Sequence, residues 1–195
     1  MFPQRINLIL YSTLALIICY IDRVNISVAI IPMQDQFGWS DSQVGFIFSS
    51  FYIGYMLTMA LGGYLSDKFG GKLVLGFGVV LWSIFTILTP LAAHNGFFAL
   101  FFMRILVGLG EGVTFPAWQS LYARWIPFKE RTRAIAFTNS GISIGTIIGY
   151  IGTQVIIIAM GWEWAFYIFG IVGLIWFVFW YRDVSSFPSG HKRIS

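Results

Sequence analysis

Charge is scarce in this chain, at 10% of 195 residues, and so are cysteine (one) and histidine (two). A single cysteine excludes a disulfide scaffold. Twenty charged side chains cannot cover a soluble globule that is 57% hydrophobic, where about 25% charged residues is usual. A net charge of +4 with so few basic residues gives no footing for a nucleic-acid binder, and a mean hydropathy of +0.78 excludes disorder. What the chain has in abundance is apolar surface: 20 Phe, 9 Tyr and 8 Trp. It reads as an all-α, polytopic membrane protein.

A bilayer core of about 30 Å takes roughly 20 helical residues. The apolar runs give six spans, at about 7–31, 43–65, 73–93, 97–123, 134–158 and 162–181, with a polar tail over 182–195. The first run resembles a secretory signal only in its opening. Asp22-Arg23-Val24-Asn25 follows where a small-residue cleavage site would stand, so it is retained as a helix. Asn25-Ile26-Ser27 matches a glycosylation sequon but lies inside that span, and Cys19 reads as a packing residue.

Six spans also sort the basic residues. Arg5, Lys68, Lys72, Arg124, Lys129, Arg131, Arg133, Arg182, Lys192 and Arg193 all fall on one side, whereas the opposite connections carry Asp35, Asp41, His94 and Glu163. Positive residues mark the cytoplasmic face, so both termini are expected there, in a cell membrane and specifically a bacterial inner membrane.

Four ionisable residues remain at membrane depth: Asp22 and Arg23 on the first span, Arg104 and Glu111 on the fourth. Each costs about 2.5–3.5 kcal/mol near the bilayer centre, so they must face protein or a water-filled cavity. At 1.5 Å per residue, Asp22 and Arg104 reach nearly the same depth, and Glu111 lies on the face of Arg104 about 10 Å deeper. Asp22 and Arg23 diverge by about 100° and address different partners. Guanidinium forks suit carboxylate ligands, and a carboxylic acid in a poorly hydrated cavity suits a proton carrier.

Glycines punctuate the helices. Gly141, Gly145 and Gly149 form a stripe on the fifth span, Gly108, Gly112 and Pro116 another on the fourth, with Pro116 expected to bend its helix. Gly141-Ile142-Ser143-Ile144-Gly145 fits a hydrolase elbow in letters alone, since it lies within a span and lacks a histidine partner. Phosphate-cradling loops and metal-ligand spacing are absent, so no cofactor, metal or enzymatic role is expected.

Between the second and third spans stands Gly63-Tyr64-Leu65-Ser66-Asp67-Lys68-Phe69-Gly70-Gly71-Lys72. It resembles the G-x-x-x-D-(R/K)-x-G-x-(R/K) loop of the major facilitator superfamily. Here Gly63 is expected to permit close helix approach, Gly70-Gly71 a tight turn, and Asp67 a pairing across helix ends. Arg104-Ile105-Leu106-Val107-Gly108-Leu109-Gly110 is similar to that superfamily's R-x-x-x-G-x-G block. With Tyr20-Ile21-Asp22-Arg23-Val24-Asn25-Ile26-Ser27 on the first span, the resemblance narrows to the anion:cation symporter branch, which includes hexonate, hexarate, tartrate and phthalate permeases.

The resemblance implies one six-helix half of a twelve-helix fold. It implies proton-coupling roles for Asp22 and Glu111, substrate contacts for Arg23 and Arg104, and cavity positions for Tyr20 and Tyr55. The expected function is proton symport of a small organic anion, a carboxylate such as a sugar acid. The chain is expected to be an incomplete half-transporter that needs a C-terminal half or a second copy. An uncoupled facilitator or exchanger, and a non-transporting membrane subunit, are the alternatives.

Overall fold

The computed structural model describes residues 2–185, with side chains from Gln4 onward. Seven helices make six membrane-length rods: α1 (Phe2–Phe37), α2 (Asp41–Phe69), α3 (Gly71–His94), α4 (Phe97–Glu111), α5 (Thr114–Trp125), α6 (Phe128–Met160) and α7 (Trp162–Asp183). There is no strand among the described residues. Most helices run past their apolar segments into polar sequence. A helix satisfies its own backbone polar groups, so it continues through the interface at little cost.

The fourth span is two helices. Its ladder is interrupted at Gly112 and Val113, one turn before Pro116. The bend expected at Pro116 therefore appears upstream of it. Proline offers no N–H to the carbonyl four residues back, which is that of Gly112, and its ring crowds that carbonyl.

The connections are short. Ser40 caps α2 through a capping box with Gln43. Between α2 and α3 stands Gly70 alone, at φ +86°, a backbone conformation that glycine adopts without steric cost.

Helix pairing has an internal symmetry. The principal contacts are α1 with α6, α2 with α4, α3 with α7, α3 with α4, and α1 with α7. Exchanging the first three spans for the last three maps this set onto itself, as an inverted repeat requires. The sequence shows this repeat only faintly.

Glycine stripes make the closest seams. A Cβ on Gly108 would lie 2.1 Å from the Phe51 carbonyl oxygen, and one on Gly112 would lie 2.4 Å from that of Tyr55, so backbone meets backbone between α2 and α4. Gly141, Gly145 and Gly149 meet the backbone or side chains of α1 at Thr13, Ile17 and Ile21 in the same way. In lipid such packing is what associates helices.

One expectation fails. Gly63 has open space where a Cβ would stand, whereas a Cβ on Gly62 would lie 2.5 Å from Cγ of Pro116. Adjacent positions are about 100° apart on the helix, so the motif glycine faces away from the seam and its neighbour fills the packing role.

Candidate functional site

Charge separates along the bundle axis. At the end where α1 begins and α2 stops, Arg5 approaches Glu130 (3.8 Å) and Arg124 approaches Asp67 (3.4 Å). Lys72 donates to the Tyr181 carbonyl (2.7 Å) and lies 4.6 Å from the centre of its ring. Lys68 lies near the rings of Tyr64 and Phe69. Thus Asp67 pairs across helix ends, in a setting where its side chain is 78% exposed. Lys192 and Arg193 lie outside the described residues, as do the last ten positions of the tail; Arg182 and Asp183 are the final turn of α7. The other end holds His94 beside Glu163 (3.7 Å) and Trp162 donating to Gln36 (2.8 Å).

At mid-depth the four charges of the first and fourth spans come together between α1, α3 and α4. Arg23 places Nη2 at 2.8 Å and Nε at 3.1 Å from one oxygen of Glu111, Oε2. Cys19, one turn before Arg23, donates its thiol to the same oxygen at 3.3 Å, so it is a polar partner as well as a packing residue. Glu111 is fully buried, and its Oε1 has no hydrogen-bond partner among the described residues. Asp22 turns the other way, as the 100° divergence requires, and accepts from Trp82 Nε1 on α3 at 3.1 Å. Asn25, one turn further on and fully buried, has neither amide atom paired among the described residues.

Arg104 differs from Arg23. It is 3% exposed yet joins no ion pair and no hydrogen bond among the described residues. Its guanidinium lies over the Phe51 ring, 5.2 Å from Cζ to the ring centre. That ring also lies 5.1 Å from Cζ of Arg23, which has Tyr20 and Tyr55 at 4.8 Å each. Three aromatic faces therefore cage one guanidinium and share a wall with the other.

Both arginines line one cavity of about 390 Å³, together with Val24, Ile26, Ser27, Phe48, Phe51 and Tyr52. Tyr20 and Tyr55 stand over Arg23 and are not among that lining, whereas Tyr52, which sequence reasoning passed over, is. Two cations on an apolar wall are chemically suited to an anion that also carries some apolar surface. Three or more metal-ligating side chains nowhere converge among the described residues.

Asp22, Arg104 and Glu111 are at most 3% exposed, and Arg23's side chain 19%. The pairing of α1 with α4 and α3 shields them within the bundle. The surfaces left most open are those of α2 and α6.

Six apolar rods in an inverted repeat around a charged cavity define the helical unit of a membrane transporter. The pattern of the Major Facilitator Superfamily matches residues 12–194, and the chain belongs to that family. It is a transporter-family protein and not an enzyme. Probable anion transporter 4, chloroplastic, of Oryza sativa subsp. japonica is 46% identical over all of this chain and 33% of its own length. The chloroplastic ascorbate transporter of Arabidopsis thaliana is 44% identical over all of this chain and 36% of its own length. Among solved structures, a bacterial homologue of the human lysosomal transporter Spinster, inward-facing and unoccupied, superposes with a TM-score of 0.82. It is 25% identical over 98% of this chain and 45% of its own. The chain thus spans a third to under half the length of these relatives.

Proposed function

We propose that this chain carries the anion- and proton-binding elements of a proton-coupled symporter for a small organic anion, a carboxylate such as a sugar acid. The observation that carries the reading is the inequality of the two arginines. Arg23 is clamped by Glu111, whereas Arg104, buried and lining the same cavity, has no carboxylate partner among the described residues. A guanidinium without a hydrogen-bond partner at membrane depth is costly, and an incoming carboxylate relieves that cost through a bidentate fork.

Coupling follows from charge balance. With Asp22 and Glu111 ionised, the two arginines are neutralised and a further anion is unfavourable. A proton on the unpartnered Oε1 of Glu111 weakens its hold on Arg23, leaving a net positive site that a monoanion neutralises. Anion and proton therefore enter together, and losing either restores the Arg23–Glu111 pair. The rings of Tyr20, Phe51 and Tyr55 keep Arg23 in place during that exchange.

We place the basic end of the bundle, and with it both termini, on the cytoplasmic side. The names of the two plant relatives refer to chloroplasts and lend no weight to a bacterial inner membrane. Six further helices, or a second copy, would close the cavity from the uncovered faces of α2 and α6.

The test is uptake of labelled ascorbate, gluconate and inorganic phosphate into proteoliposomes of the full gene product, with and without an inward proton gradient. Gradient-driven accumulation that a protonophore abolishes supports the reading. Equal flux in both conditions selects an uncoupled exchanger, and no flux of any of the three anions argues for a non-transporting subunit.

A further inference from the structure

Asp22 is held by a residue that lies outside the charged set. Trp82, in the middle of α3, is fully buried, and its indole Nε1 donates to Asp22 Oδ2 at 3.1 Å. The other carboxylate oxygen, Oδ1, is equally buried and has no partner among the described residues. The indole has no freedom to leave. Gly110 of α4 packs on the backbone of Trp82, such that a Cβ there would lie 2.7 Å from the Trp82 nitrogen, and Gly78 lies beneath the ring. α4 and α3 therefore fix the donor, and the donor fixes the carboxylate.

The chemistry of the pair is one-directional. An indole N–H donates and cannot accept. If Asp22 took its proton on Oδ2, the indole would donate to a hydroxyl oxygen, the poorer acceptor; on Oδ1 it keeps its bond to a carbonyl oxygen. The ionisable surroundings do not supply another arrangement. α4 brings Arg104 and Glu111, and α1 itself brings Cys19 and Arg23. On α3 the ionisable residues, Lys72 and His94, sit at its two ends. Tyr150 of α6 is exposed, Tyr167 of α7 is partly buried, and the charged residues of those two helices lie toward their ends.

We propose that Trp82 is the positioning residue of Asp22: it anchors Oδ2, reserves Oδ1 as the oxygen that is protonated and released in each cycle, and so sets the pH range over which Asp22 exchanges its proton. This rests on the proton-coupled reading above and adds to it a residue from a helix that contributes nothing to the cavity wall.

The experiment is a pH titration of the full gene product in lipid by infrared difference spectroscopy. It follows the protonated-carboxyl C=O band that disappears in Asp22→Asn, and therefore needs no substrate. Trp82→Phe keeps an aromatic ring and removes the donor. A hydrogen bond to an ionised carboxylate is stronger than one to the neutral acid, so its loss favours protonation. The midpoint should rise by about half to one pH unit, and the C=O frequency should rise because its acceptor bond is gone.

Trp118→Phe is the matched control, a buried indole on α5 whose Nε1 has no partner among the described residues, and it should move neither quantity. An Asp22 band that titrates identically in Trp82→Phe and the parent overturns the inference and leaves the proposed symport standing. A Trp118→Phe shift equal to that of Trp82→Phe also overturns it, since the effect would then be one of packing. Gradient-driven uptake that persists in Asp22→Asn overturns the inference and removes Asp22 from the proposed coupling.

Discussion

Replacing Gly108 with alanine should loosen the seam that places α2 against the charged site. The new methyl would stand 2.1 Å from the Phe51 oxygen, 3.0 Å from the Tyr55 nitrogen and 3.1 Å from the Phe51 carbonyl carbon, where ordinary contact begins at 3.4 Å. All three atoms are backbone, so no side chain can swing away, and the helices must part by about 1 Å. Overpacking of this kind costs about 1–3 kcal/mol, against which alanine returns up to about 1 kcal/mol of helix propensity. The net loss of about 1–2 kcal/mol corresponds to a fall of about 2–8 °C in the unfolding temperature for a chain of this size. Parting α2 from α4 also draws Phe51 and Tyr55 off the guanidiniums of Arg23 and Arg104. Gly63→Ala has the opposite sign. Nothing lies within 4 Å of its methyl, so only the propensity gain remains and stability should hold or rise slightly. Tryptophan-fluorescence melts of both variants in detergent measure the difference. Gly108→Ala melting with the parent, or Gly63→Ala falling as far as Gly108→Ala, would refute the seam argument.

Two further outcomes are expected. Single cysteines introduced at Gln36 and Asn95 should react with an impermeant maleimide from outside intact cells and one at Lys129 should not, with no background from Cys19, which is fully buried; the reverse labelling would invert the orientation. Asp22→Asn and Glu111→Gln should each lose gradient-driven accumulation while keeping anion exchange across the bilayer. Full accumulation in either variant would remove that carboxylate from the coupling.

Six spans were legible because hydrophobicity and the sorting of lysine and arginine are long-range averages that no single residue can spoil. The meeting of the charged residues of the first and fourth spans was legible in part, since depth and helical angle follow from counting residues, but those depths matched Asp22 with Arg104 and did not indicate the Arg23–Glu111 pair. The partners of these charges were not legible. Trp82, Phe51 and Cys19 are uncharged, and in a chain with 8 Trp and 20 Phe nothing marks the one that meets a carboxylate or a guanidinium. Gly62 and Gly63 are one residue apart, and which of them faces Pro116 depends on helix rotation that the glycine pattern leaves open. The break at Gly112 was displaced from the proline that causes it because the missing hydrogen bond belongs to the preceding turn.

The central claim is that Arg104 is the unpaired cation awaiting an anion. Its most direct test is the half-saturation concentration for anion exchange, with Arg104→Lys compared with the parent in proteoliposomes of the full gene product. Lysine keeps the charge and loses the two-pronged fork, so half-saturation should rise by about tenfold or more with the protein still folded. An Arg104→Lys transporter whose half-saturation stays within a factor of about two of the parent's would contradict the claim.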